Sequence, residues 1–147
     1  MPLALEQFIM LGSNNTIKGL AINNTVSGGA TPNSDLISEL TGVPSTNTTI
    51  QAVRLDGGAG SLSCSGCTPV RNLVAITETG VVISNVEARS AYGYGAQFPS
   101  SGSTPVASIA DSWFHNNFND NLYVTDASMS RNLIELAGLR ASDNTLV

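Results

Sequence analysis

Charge is scarce in this chain. Asp, Glu, Lys and Arg make up 12% of its 147 residues, and the balance is −5 at pH 7. The six cations are Lys18 and five scattered arginines. They form no basic cluster of the kind that phosphate backbones attract, so nucleic acid is excluded as a partner. Trp and His occur once each, and Cys twice. Cys64 and Cys67 form a lone CxxC without the second pair that would complete a zinc site. No βαβ setting makes it a thioredoxin-like motif either, which leaves a loop disulfide or two free thiols. No apolar run approaches the ~18 residues that span a bilayer, so no membrane segment is expected. The opening Met1 to Met10 is apolar, yet it has no basic n-region and no small-residue cleavage site. It therefore does not read as a signal peptide. The expectation is a soluble protein made in the cytoplasm and not exported by the general secretory route. Nucleophile elbow, phosphate loop and dinucleotide fingerprint are all missing, so neither cofactor nor metal is expected.

What is present is apolar and small-polar. Hydrophobic residues reach 41%, and Ser, Thr, Asn and Gly fill much of the rest. That mixture suits an all-β protein whose surface relies on hydroxyls and amides in place of charges. The length supports one domain, 1–147, with a core of its own.

An internal repeat organises the chain. Stretches beginning at Ile17, Ile50, Ile83, Ile109 and Leu136 carry Leu20, Val53, Val86, Ser112 and Leu139 three positions on. Five positions on, they carry Ile22, Leu55, Ala88, Phe114 and Ala141. Only Ser112 departs from the apolar rule. Offsets of three and five cannot share a helix face, but they fit two strand segments joined by a one-residue bend. The bend position holds Gly19, Ala52, Asn85, Asp111 and Gly138, and four of these five types enter the left-handed region at low cost. Such a unit buries its apolar side only by stacking on its neighbours.

Phe8 to Leu11, Leu73 to Thr77 and Leu122 to Val124 read as further strands. Residues 1–12 are expected to form an N-terminal cap, with Leu3, Leu5, Phe8 and Ile9 folded over the first repeat. Residues 25–46 and 91–104 are expected to be inserted loops. The first would hold a short helix, capped by Asn33, with Leu36, Ile37 and Leu40 inward and Gly42 and Pro44 ending it. The second, rich in Gly and Ser, carries Tyr92, Tyr94 and Phe98; exposed aromatics there suggest recognition, and packing against the coil is the equal alternative.

The alignment predicts two outward columns. One holds Ala21, Arg54, Glu87, Trp113 and Arg140, and the other Asn23, Asp56, Arg89, His115 and Ser142. An exposed Trp offers a face for a sugar ring, and Arg, Asp and Glu bond hydroxyls, so the columns describe a carbohydrate-binding ribbon. Its candidate residues are Arg54, Arg89, Trp113, His115 and Arg140, joined by Tyr92 and Tyr94. Asp56 and Glu87, on adjacent repeats, are the only candidates for an acid–base pair, at a separation of ~8 Å from strand spacing and rise. The competing explanation is structural: Arg54 faces Glu87 and Asp56 faces Arg89, cross-strand pairs that fix register, with Trp113 over Arg140 as a cation–π step. A third, polar column of Asn24, Gly57, Ser90, Asn116 and Asp143 suits hydrogen bonds between repeats. The run from Asn116 to Asn121 reads as a hydrogen-bonded turn, since its spacing matches no calcium loop.

The pattern, from about Phe8 to Val147, resembles the right-handed parallel β-helix of the pectate-lyase-like superfamily, and most of all the β-helix regions of bacteriophage tailspikes. The resemblance implies a single-stranded β-helix of about five turns. It implies a non-enzymatic virion or surface protein that contacts host polysaccharide and assembles as a homo-oligomer, commonly a trimer. The alternative is a polysaccharide lyase or glycoside hydrolase. Calcium-dependent lyases of this superfamily use clustered Asp and an Arg base; no matching cluster is found here, so no catalytic residue is carried across. Thr145, Leu146 and Val147 read as the start of another strand, whose open edge would favour association.

Overall fold

The structure, a computed structural model, describes residues 7–23, 35–39, 46–58, 70–77, 80–98, 107–125, 127–134, 139–141 and 145–146. All regular structure among them is strand, so no helix there is long and apolar enough to cross a membrane. The strands are β1 (Gln7–Leu11), β2 (Thr16–Asn23), β3 (Asp35–Glu39), β4 (Thr49–Asp56), β5 (Asn72–Ala75), β6 (Val81–Arg89) and β7 (Ala96–Phe98). They continue with β8 (Ala107–Ala110), β9 (Trp113–His115), β10 (Leu122–Val124), β11 (Ala127–Ser130), β12 (Leu133–Ile134), β13 (Leu139–Ala141) and β14 (Thr145–Leu146). The chain alternates between two parallel sheets, and neither closes on itself. One runs β1-β3-β5-β7-β10-β13; the other contains β2, β4, β6, β8, β9, β11, β12 and β14.

In the second sheet the repeat falls into register as the spacing requires. Ile17 pairs with Ile50, Ile50 with Ile83, and Ile83 with Ile109. Beyond Ile109 the register departs from the sequence alignment. Met129, not Leu136, lies opposite Ile109, and Leu146 lies opposite Met129. The repeat therefore shortens along the chain, through spacings of 33, 33, 26, 20 and 17 residues. Leu139–Ala141 belongs to the other sheet, paired with β10. Thr145–Leu146 is the strand start expected there, paired with β11. Leu136 and Gly138 lie outside the described residues.

Each repeat bends at one left-handed residue: Gly19 (φ 67°), Ala52 (51°), Asn85 (52°), Asp111 (51°) and Arg131 (51°). Arg131 holds the fifth position, where the alignment has Gly138. A left-handed Arg is strained, and the side chain is fastened by a two-pronged bond to Asp111, Nε to Oδ1 and Nη2 to Oδ2, both 2.6 Å. Asp111 and Arg131 thus stack one bend on the next. A second left-handed column stands at the entry to β2, β4 and β6, through Asn14, Asn47 and Gly80. The Asn47 amide donates to Asn14 Oδ1 at 3.2 Å. At Gly80, left-handed at φ 80°, a Cβ would lie 2.6 Å from Asn47 Oδ1 and would push that amide aside.

The apolar sides of both sheets form one cluster, which includes Ile22, Ile50, Leu55, Ile83, Phe114, Ile37, Leu73, Phe98 and Leu122. Leu20, expected inward, is exposed. Ser112, the departure from the apolar rule, is buried and fully used. Its hydroxyl donates to Ala110 O at 2.8 Å and accepts from Val86 N at 3.2 Å, and its own N–H donates to Asn132 Oδ1 at 3.0 Å.

Two expected loops hold strands. Asp35–Glu39, placed in a helix by its spacing, is β3 between β1 and β5. A strand buried on both faces carries adjacent apolar residues, and Leu36 and Ile37 are both buried. Phe8 to Leu11, read both as a strand and within the cap, is a strand: Gln7–Leu11 forms β1 of the same sheet. Ala96–Phe98, inside the expected loop 91–104, is β7, and Phe98 is a fully buried core residue. Leu3, Leu5, Asn33, Leu40, Gly42, Pro44, Cys64 and Cys67 lie outside the described residues.

Candidate functional site

The two predicted outward columns exist as far as β9. Ala21, Arg54, Glu87 and Trp113 are successive register partners, as are Asn23, Asp56, Arg89 and His115. The column then passes from Trp113 to Leu133. Arg140 is not its fifth member; it stands opposite Tyr123 on the other sheet. The expected Trp113–Arg140 step is therefore absent, because β13 belongs to a different sheet. Trp113 stacks instead on His115, with ring centroids 3.9 Å apart and 17° between planes. The two are neighbours two residues apart on one side of β9, which brings their rings face to face.

Exposure is lower than the alternation predicts. Asp56 is 2% exposed and His115 4%, whereas Trp113 keeps 38%. The chain does not leave the sheet after Asp56: Gly57 N donates to Arg89 O at 2.9 Å, and Val70 N to Gly57 O at 3.0 Å. Gly58 N also donates to Asp56 Oδ1 at 3.0 Å, which holds the turn against that carboxylate.

Asp56, Glu87, Arg89 and His115 contact one another. Arg89 reaches Asp56 Oδ2 through Nη2 at 3.1 Å and Nε at 3.2 Å. The same guanidinium approaches Glu87 Oε1 through Nη1 at 3.6 Å. Glu87 Oε1 also lies 3.3 Å from His115 Nε2, while the Asn116 amide lies 2.9 Å from Nδ1. An imidazole carrying its proton on Nε2 satisfies both contacts. The predicted Asp56–Arg89 pair is formed. Glu87, the register partner of Arg54, bonds Arg89 and His115. A shallow depression of about 550 Å³ overlies the bend, with Ala21, Ala52, Arg54 and Glu87 among its lining residues.

Both carboxylates that an acid–base mechanism would need share one guanidinium. Asp56 is buried against it, and Glu87 touches it from a partly exposed position. Among the described residues no group of three or more His, Cys, Asp or Glu gathers to hold a metal ion. The Asn-rich run is a hydrogen-bonded turn. Asn117 N donates to Asn121 Oδ1 at 3.1 Å, and the Asn117 amide donates to the same oxygen at 2.8 Å and to Ala88 O at 3.2 Å. In the predicted polar column, Ser90 and Asn116 are both left-handed corner residues. Asn24, Asp143 and Ser142 lie outside the described residues.

Tyr92 and Tyr94 flank the corner that leads into β7. Tyr92 stacks on Phe118, centroids 5.0 Å apart and nearly parallel at 4°, and Tyr94 stacks on Tyr123 at 5.3 Å. Sequence reasoning did not single out Phe118 or Tyr123, nor the Asp35–Arg71 pair beside them. They lie on or beside the sheet that the repeat alignment did not cover, and an aromatic pair 26 or 29 residues apart has no local pattern.

No family model matches the sequence, and no curated protein or solved structure matches it either.

Proposed function

We propose that the chain is a right-handed single-stranded parallel β-helix acting as a non-enzymatic surface element, one that holds polysaccharide without cutting it. The alternation of parallel strands between two sheets supports the β-helix. Parallel crossovers within a sheet are right-handed in about 98% of cases, which supports the hand. The left-handed bend column supports a regular stack.

The observation that carries the functional reading is the shared guanidinium of Arg89, which commits Asp56 and Glu87 to structure. The ribbon is then a cross-strand charge ladder with one aromatic face, Trp113, left open to a ligand. A net charge of −5 disfavours polyanions. The resemblance to tailspike β-helices supports a virion or extracellular-surface location and a homo-oligomer, three-fold by analogy. The experiment is a bacterial surface-glycan array probed with labelled protein, together with sedimentation equilibrium. Binding to at least one glycan and association at micromolar concentration are expected. A chain that binds no glycan overturns the contact function, and a stable monomer overturns the assembly.

A further inference from the structure

The corner between β5, β7 and β10 carries a second feature, on the sheet opposite the ribbon. A cavity of about 390 Å³ opens there, lined chiefly by Arg71, Tyr92, Tyr94, Gln97 and Asn119. That is the low end of the range for ligand pockets, roughly 300–1,000 Å³, and fits one or two sugar rings. Tyr92 in its wall is 45% accessible, and Phe118, stacked on Tyr92 outside the lining, is 70% accessible. Solvent-facing aromatics stacked in parallel are costly to leave bare and mark contact sites.

The polar wall is held in place from below. Asp35 is buried and takes Arg71 in a two-pronged grip, Nε to Oδ1 at 3.0 Å and Nη2 to Oδ2 at 2.7 Å. It also accepts from the Asn72 amide at 2.8 Å. Asn72 Oδ1 in turn accepts from Tyr94 N at 3.0 Å, which fixes the backbone that carries the tyrosine. Gly93 admits this approach, because a Cβ there would lie 2.5 Å from Arg71 O. One buried carboxylate thus positions an Arg, an Asn and a Tyr around a single opening. Gln97 stands in register with Tyr123 on the outward column, and Arg140 follows Tyr123 in the same register.

We infer that this corner is a binding subsite for a neutral hexopyranose, with the sugar face on the tyrosines and its hydroxyls on Arg71, Gln97 and Asn119. The inference rests on the glycan-contact reading and gives that contact its location and ligand class. Three planar polar groups suit neighbouring hydroxyls, since each offers paired hydrogen-bonding atoms. Neutrality follows from charge. Asp35 offsets Arg71, so among the described residues the lining has no surplus cation to attract a uronate. Tyr92 and Phe118 form the outer lip, where an adjacent sugar of an oligosaccharide would lie.

The test is titration of the uniformly ¹⁵N-labelled protein with neutral hexaoses (gluco-, manno- and galacto-), with oligogalacturonate and with a proline decapeptide. At least one neutral hexaose is expected to shift the Arg71 Nε–H and the side-chain amides of Gln97 and Asn119. Tyr92→Ala should weaken that binding about ten-fold, a stacking contribution at the upper end of the usual range. Gln97→Ala should weaken it as well, and Trp113→Ala should leave it within two-fold. Tyr92 and Gln97 are outside the core, and a thermal melt confirms that their variants fold. Binding lost in Trp113→Ala but kept in Tyr92→Ala and Gln97→Ala overturns the subsite while leaving glycan contact standing. No response to any sugar overturns both. Response to oligogalacturonate alone, or to the proline peptide alone, overturns the assigned ligand class.

Discussion

Asn117 links two layers of the stack, and its replacement by alanine measures what such a side-chain bridge contributes. Its Oδ1 accepts from Ala91 N at 2.9 Å. Its amide donates to Ala88 O at 3.2 Å and to Asn121 Oδ1 at 2.8 Å. Asn121 Oδ1 retains a second donor, Asn117 N, so its loss is an ordinary hydrogen bond. Ala91 is fully buried, and its N–H would be left without that acceptor. An orphaned buried donor costs ~1–3 kcal/mol and each further net hydrogen bond ~1 kcal/mol, so Asn117→Ala should cost roughly 3–5 kcal/mol. Asn119→Ala, at an exposed neighbour, should stay within ~0.5 kcal/mol. Urea unfolding followed by far-ultraviolet circular dichroism gives both values from the midpoint at constant slope. A loss below ~1 kcal/mol for Asn117→Ala would refute the bridge.

Other perturbations act on the same stack. Gly95→Ala should cost ~1–3 kcal/mol, because the new Cβ would meet Asn121 O and Asn117 Nδ2 at 2.5 Å each; unchanged stability would show that the corner can yield. Ala52 is left-handed at φ 51°, so Ala52→Val should cost more than ~1 kcal/mol while Ala52→Gly is neutral or stabilising; the reverse order in thermal melts would reject the bend column. The Arg131 hydrogen bond holds the Asp111 carboxyl below the usual carboxylate range. A lowered folded value means that this contribution is present above the unfolded carboxylate pKa and disappears as pH falls through the folded one. Arg131→Gln should return the Asp111 ¹³Cγ titration to the ordinary range, and an unaltered titration would contradict the pairing.

The regular half of the fold was legible because Ile17, Ile50, Ile83 and Ile109 share one inward position, and two strand segments around a bend leave an unmistakable offset. The fifth repeat was not legible. Leu136, Leu139 and Ala141 satisfy the apolar template by chance of spacing, whereas the true repeat has Asn132 and the left-handed Arg131 at its bend. Those residues work through long-range bonds: Arg131 to Asp111, and Asn132 to Ser112 N and Ile109 O. β3 read as a helix because Leu36, Ile37 and Leu40 fit both periods, and only its partners β1 and β5 decide between them. β7 has three residues among glycines and shows no period at all. In the candidate site, the columns and the Asp56–Arg89 pair followed from register alone. The burial of His115 did not, since its ring is enclosed by Trp113, Glu87 and Asn116, contacts that spacing does not announce.

The central claim is that this chain holds polysaccharide and leaves it intact. Size-exclusion chromatography of purified bacterial O-polysaccharides and capsules, after overnight incubation with the protein, tests this most directly. The protein should co-elute with at least one polymer whose own elution volume is unchanged. A polymer shifted to short fragments, or a protein that elutes apart from all of them, would contradict it.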